Sequence, residues 1–135
     1  MSTSIPATHL DIVQNAQVVM LSTSGPSGAP QTTALWFLLD DDGKIRLSIN
    51  AARQKVKNLI RDPKVSLFFI DTTNPYRTVE IRGTASAEPD PDYVFAEKVG
   101  TKYGGTDMRK MDKPGESRLV VTIEPTAAYV FGKQE

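Results

Sequence analysis

Cysteine is absent from the 135-residue chain, and histidine occurs once, at His9. Without cysteine there is no disulfide, no thiolate nucleophile, no cysteine-type zinc site and no cysteine-ligated iron–sulfur cluster. A single histidine near the N-terminus leaves a Ser-His-Asp triad or a histidine metal site almost nothing to build on. The acidic run 40–42, followed by Gly43, is too short for an EF-hand loop and is typical of a hairpin turn. We therefore expect no metal and no hydrolysis by these routes.

A long apolar run and a net charge are also missing. No uninterrupted apolar segment approaches the about 20 residues of a membrane-spanning helix, and no Lys or Arg precedes Lys44 as in a signal peptide. Sixteen basic and sixteen acidic side chains cancel, so no overall field would hold the chain on nucleic acid. These absences predict a cytoplasmic protein with neither a membrane nor nucleic acid as its partner.

Charge is nevertheless uneven along the chain. From Lys44 to Lys64 there are seven basic residues and one acidic residue, Asp62. A basic segment within a neutral domain suits one small anion better than a long polyanion. The alternative is that these side chains only solvate an exposed helix face, as most charge runs do. The spacing alone does not decide between the two.

Period-two alternation of apolar and polar residues predicts a mainly β protein. In the run 44–50, the side chains of Ile45, Leu47 and Ile49 share one face. The length fits a single domain, residues 1–135. Six or seven short strands favour a closed or nearly closed barrel, because closure removes exposed edges. The predicted strands cover 18–23, 32–39, 44–50, 65–71, 78–87, 118–124 and 127–131, and the predicted helices cover 9–14, 53–61 and 93–103.

The junction 48–58, where the third strand meets the second helix, has the parts of a phosphate site. A helix start offers free backbone N–H groups, and basic side chains flank them here. The predicted buried face of this helix carries Ala52, Val56, Leu59 and Ile60, and its other side carries Arg53, Lys55, Lys57, Asn58 and Arg61.

Several short motifs, in this order, resemble a known family. Gly28-Ala-Pro-Gln31 runs into Thr-Thr-Ala-Leu-Trp-Phe, Arg53-Gln-Lys-Val-Lys-Asn58 is followed by Asp-Pro, and Asn74-Pro-Tyr-Arg77 leads into the strand at 79–85. The ordered set resembles the pyridoxamine-phosphate-oxidase-like split-barrel flavoproteins over nearly the whole chain. The pattern Arg-x-Lys-x-x-Asn looks most like the mycobacterial and actinobacterial branch that uses the deazaflavin coenzyme F-420.

The resemblance implies a homodimer of six-stranded split β-barrels with a few short flanking helices. A flavin-type cofactor would lie in a groove at the subunit interface, with its anionic tail at the basic junction. Lys55 and Arg53 would bind the phosphate with help from Asn58, and Ser48 and Asn50 would line the tail. The remaining implied contacts are Gln31, Thr32 and Thr33 with the ring system, and Tyr76 and Arg77 from the other subunit's side of the pocket.

Two departures from the oxidase pattern bear on the cofactor. Those oxidases place an Arg and a Lys of strand two on the FMN phosphate, where this chain has Thr33 and Leu38. A charge-assisted contact contributes roughly 1.5 to 3 kcal/mol, so losing two favours the deazaflavin over FMN unless Arg53 and Lys57 compensate. Those oxidases also end in an Arg-rich stretch that holds the pyridoxal product. This chain ends without an Arg, so vitamin B6 oxidation is not expected.

The resulting hypothesis is a coenzyme F-420-dependent reductase that transfers a hydride between the deazaflavin and a small unsaturated or quinone-like organic substrate. The cofactor carries the chemistry in such enzymes, so no dedicated acid or base is required, and no catalytic residue is assigned. The alternatives are an FMN-dependent reductase of the same fold and a non-catalytic carrier of F-420 or a flavin. Nothing in the residues excludes the carrier.

Overall fold

The computed structural model describes residues 4–133 and shows a mainly β protein. Within this part of the chain, three short helices flank the strands: α1 (Leu10–Asn15), α2 (Gln54–Arg61) and α3 (Val94–Lys102). There are also 3₁₀ turns at Ala7–His9 and Met108–Met111. The strands are β1 (Val19–Ser24), β2 (Pro30–Leu35), β3 (Leu38–Leu39), β4 (Ile45–Asn50), β5 (Lys64–Ile70), β6 (Thr78–Pro89) and β7 (Arg118–Phe131).

The seven strands of residues 4–133 form one antiparallel sheet in the order β2-β1-β5-β6-β7-β4-β3. Its two edge strands, β2 and β3, are neighbours in sequence, with Trp36 and Phe37 between them. Three residue steps span at most about 11 Å, so the sheet must curl until its edges approach one another. The predicted split barrel is confirmed. It has seven strands instead of six because the short β3 is a strand of its own.

Inward-facing side chains of the strands fill the barrel. Ile45, Leu47 and Ile49 of β4 are all buried, as the alternation predicts. Phe37 and Phe69 meet edge to face with ring centroids 5.2 Å apart. A smaller apolar cluster under α3 consists of Phe95, Ala96, Val99 and Met108, with Trp36 and Leu38 packed against it.

Residues 32–39 do not form the single strand predicted from the sequence. Phe37 is completely buried and interrupts the pairing between Leu35 and Leu38. The C-terminal end of α3 holds this interruption: the Lys102 ammonium donates to the Phe37 carbonyl at 2.8 Å, and the Tyr103 hydroxyl accepts from the Phe37 N–H at 3.2 Å. These contacts stabilise the link that joins the two sheet edges.

Residues 118–131 form one strand, although two were predicted on either side of Pro125. The register of β6 against β7 shifts between Arg82 and Gly83, so that Gly83 faces Pro125 and Thr126 is the extra residue. A bulge tolerates proline because the regular ladder is already interrupted there. Gly83 suits this position, since a Cβ would collide with the Glu124 carbonyl oxygen.

The N-terminal segment is fastened to the barrel by buried polar groups. Arg77 precedes β6, and its Nη1 binds Asp71 at 2.6 Å and Asp11 of α1 at 3.0 Å. His9 is also buried, and its Nε2 donates to the Gly132 carbonyl oxygen at 2.8 Å. Both contacts join the N-terminal segment to residues that flank the two long strands, Arg77 before β6 and Gly132 after β7.

None of the helices within residues 4–133 has the length and apolar character to cross a membrane.

Candidate cofactor site

The turn 51–53 between β4 and α2 is the centre of the predicted anion site. Arg53 precedes the helix in an extended conformation, and its side chain does not cap the helix. The backbone N–H groups of Gln54 and Lys55 have no acceptor within residues 4–133. Two free donors therefore lie at the positive end of the α2 dipole.

Three cations lie at the start of α2. Arg53 and Lys57 are exposed, Lys55 is half-buried, and none of them forms an ion pair within the described residues. Burial, and then the nearby charge of Arg53, lower the pKa of Lys55. Cations held near each other without an intervening acid create a positive potential that attracts an anion.

Two other basic residues of the 44–64 segment are neutralised away from this turn. Lys44 binds Glu124 at 2.9 Å. Arg46 binds Asp40 at 2.9 Å and Asp42 at 2.7 Å, inside the β3–β4 hairpin that the sequence predicts at this point. The basic segment is therefore not one continuous patch, and its anion-binding character concentrates at the start of α2.

Ser48 and Asn50, predicted to line the cofactor tail, stand behind the turn. Asn50 is 4% exposed, and its Nδ2 donates to Asp112 Oδ1 at 2.9 Å. The Ser48 hydroxyl accepts a longer bond from Arg118 at 3.3 Å. Both side chains are engaged within the protein, and their contact with a cofactor stays a prediction.

The sequence predicts that Asn58 lies on the charged side of α2. In the structure its side chain is instead completely buried. Its Nδ2 donates to Thr23 Oγ1 at 3.0 Å and to Gln31 Oε1 at 2.9 Å. The expectation that Ala52 and Ile60 are buried is also wrong, because Ala52 is exposed and Ile60 is 67% exposed. The helix packs on the β1–β2 hairpin, whose polar side chains satisfy an amide, and Ile60 is turned towards solvent.

The three predicted residues of β2 point to two different faces. Gln31 and Thr33 are half-buried on the inner side, whereas Thr32 is exposed on the outer side, with its Oγ1 2.8 Å from Ser22 Oγ. Thr33 Oγ1 is buried and has no hydrogen-bond partner within residues 4–133. A ligand on one face of β2 meets either Gln31 and Thr33 or Thr32, but not all three side chains.

Tyr76 and Arg77 differ in exposure although they are adjacent. Tyr76 is 75% exposed and available to another molecule. Arg77 is 6% exposed, and its hydrogen bonds go to Asp11, Asp71 and the Thr8 carbonyl. These contacts do not join Arg77 to the β4–α2 turn, and the predicted role of both residues in the other subunit's pocket stays a prediction.

A model of the pyridoxamine 5'-phosphate oxidase family matches residues 5–130 of the chain. The chain belongs to this family. Among solved structures, an F-420 reductase is 30% identical, with a TM-score of 0.80 and coverage of 93% of this chain and 98% of that one. A conserved hypothetical protein of Mycobacterium tuberculosis is also 30% identical, with a TM-score of 0.76 and coverage of 96% and 86%. No curated protein matches significantly.

A more distant solved structure is the HupZ protein of Group A Streptococcus. It is 20% identical, with a TM-score of 0.70, and the match covers 97% of this chain and 98% of that one. At this identity the likeness shows the oxidase-family fold alone.

The β4–α2 turn of this oxidase-family chain fits the anionic tail of a flavin-type cofactor. Two free N–H groups and the cations Arg53, Lys55 and Lys57 supply the donor set that phosphate oxygens require. The unpartnered Thr33 hydroxyl is a further hydrogen-bonding group without a protein partner in residues 4–133. No cluster of three or more His, Cys, Asp or Glu side chains within the same residues is arranged to hold a metal ion.

The sequence reasoning missed Tyr93, Asp112 and Arg118, which lie behind the turn. Arg118 is opposite Asn50 in the pairing of β4 with β7. An antiparallel pairing of the predicted strands 44–50 and 118–124, with the last residue of the first opposite the first residue of the second, would have placed Arg118 opposite Asn50. Nothing local in the sequence marks Asp112 or Tyr93, because their contacts with the turn are made only by the folded chain.

Three cavities open on the described part of the molecule, and none of these three is lined by the β4–α2 turn. One, of about 300 Å³, is apolar and lies between the N-terminal segment and the β3–β4 hairpin. Another, of about 360 Å³, is polar and surrounds Arg77. The third, of about 500 Å³, is a groove along the outer side of β1, β5 and β6. The side chains of Arg53 and Lys57 are exposed, so the predicted phosphate site is an open surface of the single subunit.

Proposed function

We propose that the protein is a coenzyme F-420-dependent oxidoreductase that transfers a hydride between the deazaflavin and a small unsaturated or quinone-like organic substrate. Two findings support the proposal: membership of the pyridoxamine 5'-phosphate oxidase family and 30% identity to a solved F-420 reductase over 93% of this chain. The observation that carries it is the basic, uncapped start of α2. Its donors and cations suit the phosphodiester of this cofactor.

Within the proposal, this chain's residues bind and orient. The N–H groups of Gln54 and Lys55 and the side chains of Arg53 and Lys55 hold the phosphate, and Lys57 adds positive potential. Gln31 and Thr33 offer polar groups on the inner face of β2. When bound, the deazaflavin supplies the hydride chemistry, so no acid or base of the protein is assigned to the reaction.

The choice of F-420 over FMN depends on charge along β2 and β3. Thr33 and Leu38 stand where the oxidases carry their two phosphate-binding cations. Thr33 is half-buried, and Leu38 packs against the α3 cluster, so neither position supplies a charge. An FMN-dependent reductase remains the alternative because the family match is to a pyridoxamine 5'-phosphate oxidase.

A homodimer with the cofactor at the subunit interface is part of the proposal. The outer face of the sheet exposes Ile70 by 39%, Tyr129 by 51% and Phe131 by 68%. Ile70 and Phe131 both lie opposite Thr78, on either side of β6. Apolar groups exposed together on one sheet face are typical of a protein interface. A second copy that covers this face would form the subunit interface at which the proposal places the cofactor.

Fluorescence titration of the cofactor-free protein with F-420 and, separately, with FMN tests the proposal. We expect tight F-420 binding and weak FMN binding. Lys55→Ala should weaken F-420 binding by about 1.5 to 3 kcal/mol, roughly 10- to 150-fold in Kd, because one charge-assisted contact is lost. Lys110→Ala removes an exposed lysine outside the proposed site and serves as the matched control.

The same experiment separates the alternatives. Tight FMN binding without F-420 binding identifies an FMN-dependent reductase. Tight F-420 binding with no oxidation of the reduced cofactor by enone and quinone acceptors, beyond the rate in solution, identifies a carrier. Binding of neither cofactor overturns the proposal.

A further inference from the structure

The β4–α2 turn has no cap of its own, and Asn50 holds it in place. Asn50 Oδ1 accepts the Ala52 N–H at 2.9 Å, and Asn50 Nδ2 donates to Asp112 Oδ1 at 2.9 Å. The Ala51 N–H donates to the Ser117 carbonyl oxygen at 2.8 Å. The segment 112–118 therefore supports the two residues that precede the free N–H groups of α2.

Asp112 is the residue on which these contacts converge. Its side chain is 3% exposed, and its Oδ2 accepts from Arg118 Nε at 2.9 Å and from the Tyr93 hydroxyl at 2.6 Å. Arg118 also donates to the Ser48 carbonyl oxygen at 3.1 Å. One buried carboxylate thus links the start of α3 and the start of β7 to the end of β4.

The hydrogen bonds keep this carboxylate charged. Burial would raise the pKa of Asp112, but the hydrogen bonds from Tyr93, Asn50 and Arg118 outweigh burial and lower the pKa. A charged Asp112 can only accept hydrogen bonds, and the Glu116 carboxylate accepts from the same Asn50 Nδ2 at 3.0 Å, so the two acids together fix the direction in which the Asn50 amide faces. The Asn50 oxygen is then turned towards the Ala52 N–H.

Tyr93 reaches Asp112 from an unfavourable backbone conformation. Its φ is 58°, the one positive φ among the non-glycine residues of the described chain. A residue with a Cβ is disfavoured there and persists only where its surroundings hold it. The short hydrogen bond to Asp112 is made from this conformation.

We propose that Asp112 is a positioning residue for cofactor binding. It touches no ligand. It holds Asn50, and through Asn50 it holds the turn 51–53 in the arrangement that directs the Gln54 and Lys55 N–H groups at the anion. The inference rests on the proposed function, because the anion is the phosphate of the cofactor.

The test compares Asp112→Asn with Asp40→Asn, which alters ion pairs beyond the other end of β4. In Asp112→Asn an amide N–H₂ replaces an acceptor that faces three donors, so the turn loosens. We expect the Kd for F-420 to rise about tenfold in Asp112→Asn and to stay unchanged in Asp40→Asn. Amide hydrogen exchange at Ala51 and Ala52 should accelerate in Asp112→Asn more than exchange in the barrel strands does, whereas a general loss of stability would accelerate exchange throughout the barrel.

Tyr93→Phe keeps the test informative should Asp112→Asn fail to fold. It removes one donor and leaves the carboxylate, so we expect a smaller change in the same direction, in both Kd and exchange. If wild type does not bind F-420, the proposed function fails, and this inference fails with it. If wild type binds, Lys55→Ala binds weakly, and both Asp112→Asn and Tyr93→Phe bind as Asp40→Asn does, only the positioning role is overturned.

Discussion

Asn58 is a buried polar residue in the basic helix α2. It has no exposed surface, and its amide bonds to Thr23 and Gln31 on the neighbouring hairpin. Gln54 also donates to its Oδ1 at 2.8 Å. A side chain used in this way joins α2 to the barrel, so the helix start depends on Asn58 even without a contact to the ligand.

Asn58→Ala is therefore expected to act on folding. The substitution leaves Thr23 and Gln31 without their amide partner in a buried place, which costs about 2 to 3 kcal/mol of unfolding free energy. Urea denaturation monitored by Trp36 fluorescence measures the loss. Lys57→Ala, an exposed neighbour, should change stability by less than about 0.5 kcal/mol. Equal midpoints for the two variants would contradict the structural role.

Thr33 offers the opposite case, a buried hydroxyl without a partner in residues 4–133. Thr33→Val keeps the shape and removes the unsatisfied oxygen, so we expect stability to rise by about 1 kcal/mol. If the hydroxyl also bonds the cofactor ring, the same variant should bind F-420 less tightly. Thermal unfolding of the cofactor-free protein and F-420 titration measure the two effects separately, and a drop in the melting temperature would show that the hydroxyl has a partner.

At the scale of elements, the ion pairs of Arg77 connect α1 to the β5–β6 loop. Hydrogen bonds from the Thr73 backbone and side chain, and then from Arg77, lower the pKa of Asp71 from 3.8 to about 2. The folded state therefore favours the carboxylate. Its contribution to stability is complete above about pH 4 and is lost as the pH falls towards 2.

Asp71→Asn should accordingly make the free energy of unfolding depend less on pH below about pH 4. We expect the variant to be less stable than wild type at neutral pH and the difference to shrink between pH 4 and pH 2. Urea midpoints measured across this range check it. A difference that stays constant down to pH 2 would mean that Asp71 is not held as a carboxylate by these bonds.

The same scale shows what the sequence can and cannot predict. Strands 44–50, 65–71 and 78–87 were predicted within two residues, because alternation records which face of a strand is buried. The break at Trp36 and Phe37 was not predicted, since its cause is a pair of hydrogen bonds from the end of α3. The continuity of β7 through Pro125 was missed because the compensating bulge depends on Gly83 of another strand.

The predicted site likewise contains residues that local sequence marks and contacts that only the folded chain makes. The cations Arg53 and Lys55 at the start of α2 follow from local spacing, and the structure places them there. The supporting contacts of Asn50 and Asn58 come from segments distant in the sequence, so no local pattern marks them. The local charge could be predicted from the sequence, whereas the buried polar contacts that support the turn could be identified only in the folded structure.

At the scale of the whole molecule, a single subunit does not explain the apolar outer face formed by Ile70, Tyr129 and Phe131. Phe131 is the most exposed of the three, so Phe131→Glu introduces a charge where a second copy would have to cover it. Because the proposed pocket is shared between two copies, we expect this variant to be monomeric and to bind F-420 weakly. Light scattering gives the mass, and fluorescence titration gives the affinity.

Val94 supplies the matched control, since it is 67% exposed on α3, outside this sheet face. Val94→Glu adds the same charge to an equally exposed apolar side chain and should leave both mass and affinity at the wild-type values. A wild-type protein that is itself monomeric while binding F-420 tightly would place the whole site on one subunit. Loss of mass in Phe131→Glu with full F-420 affinity would keep the dimer but remove the cofactor from its interface.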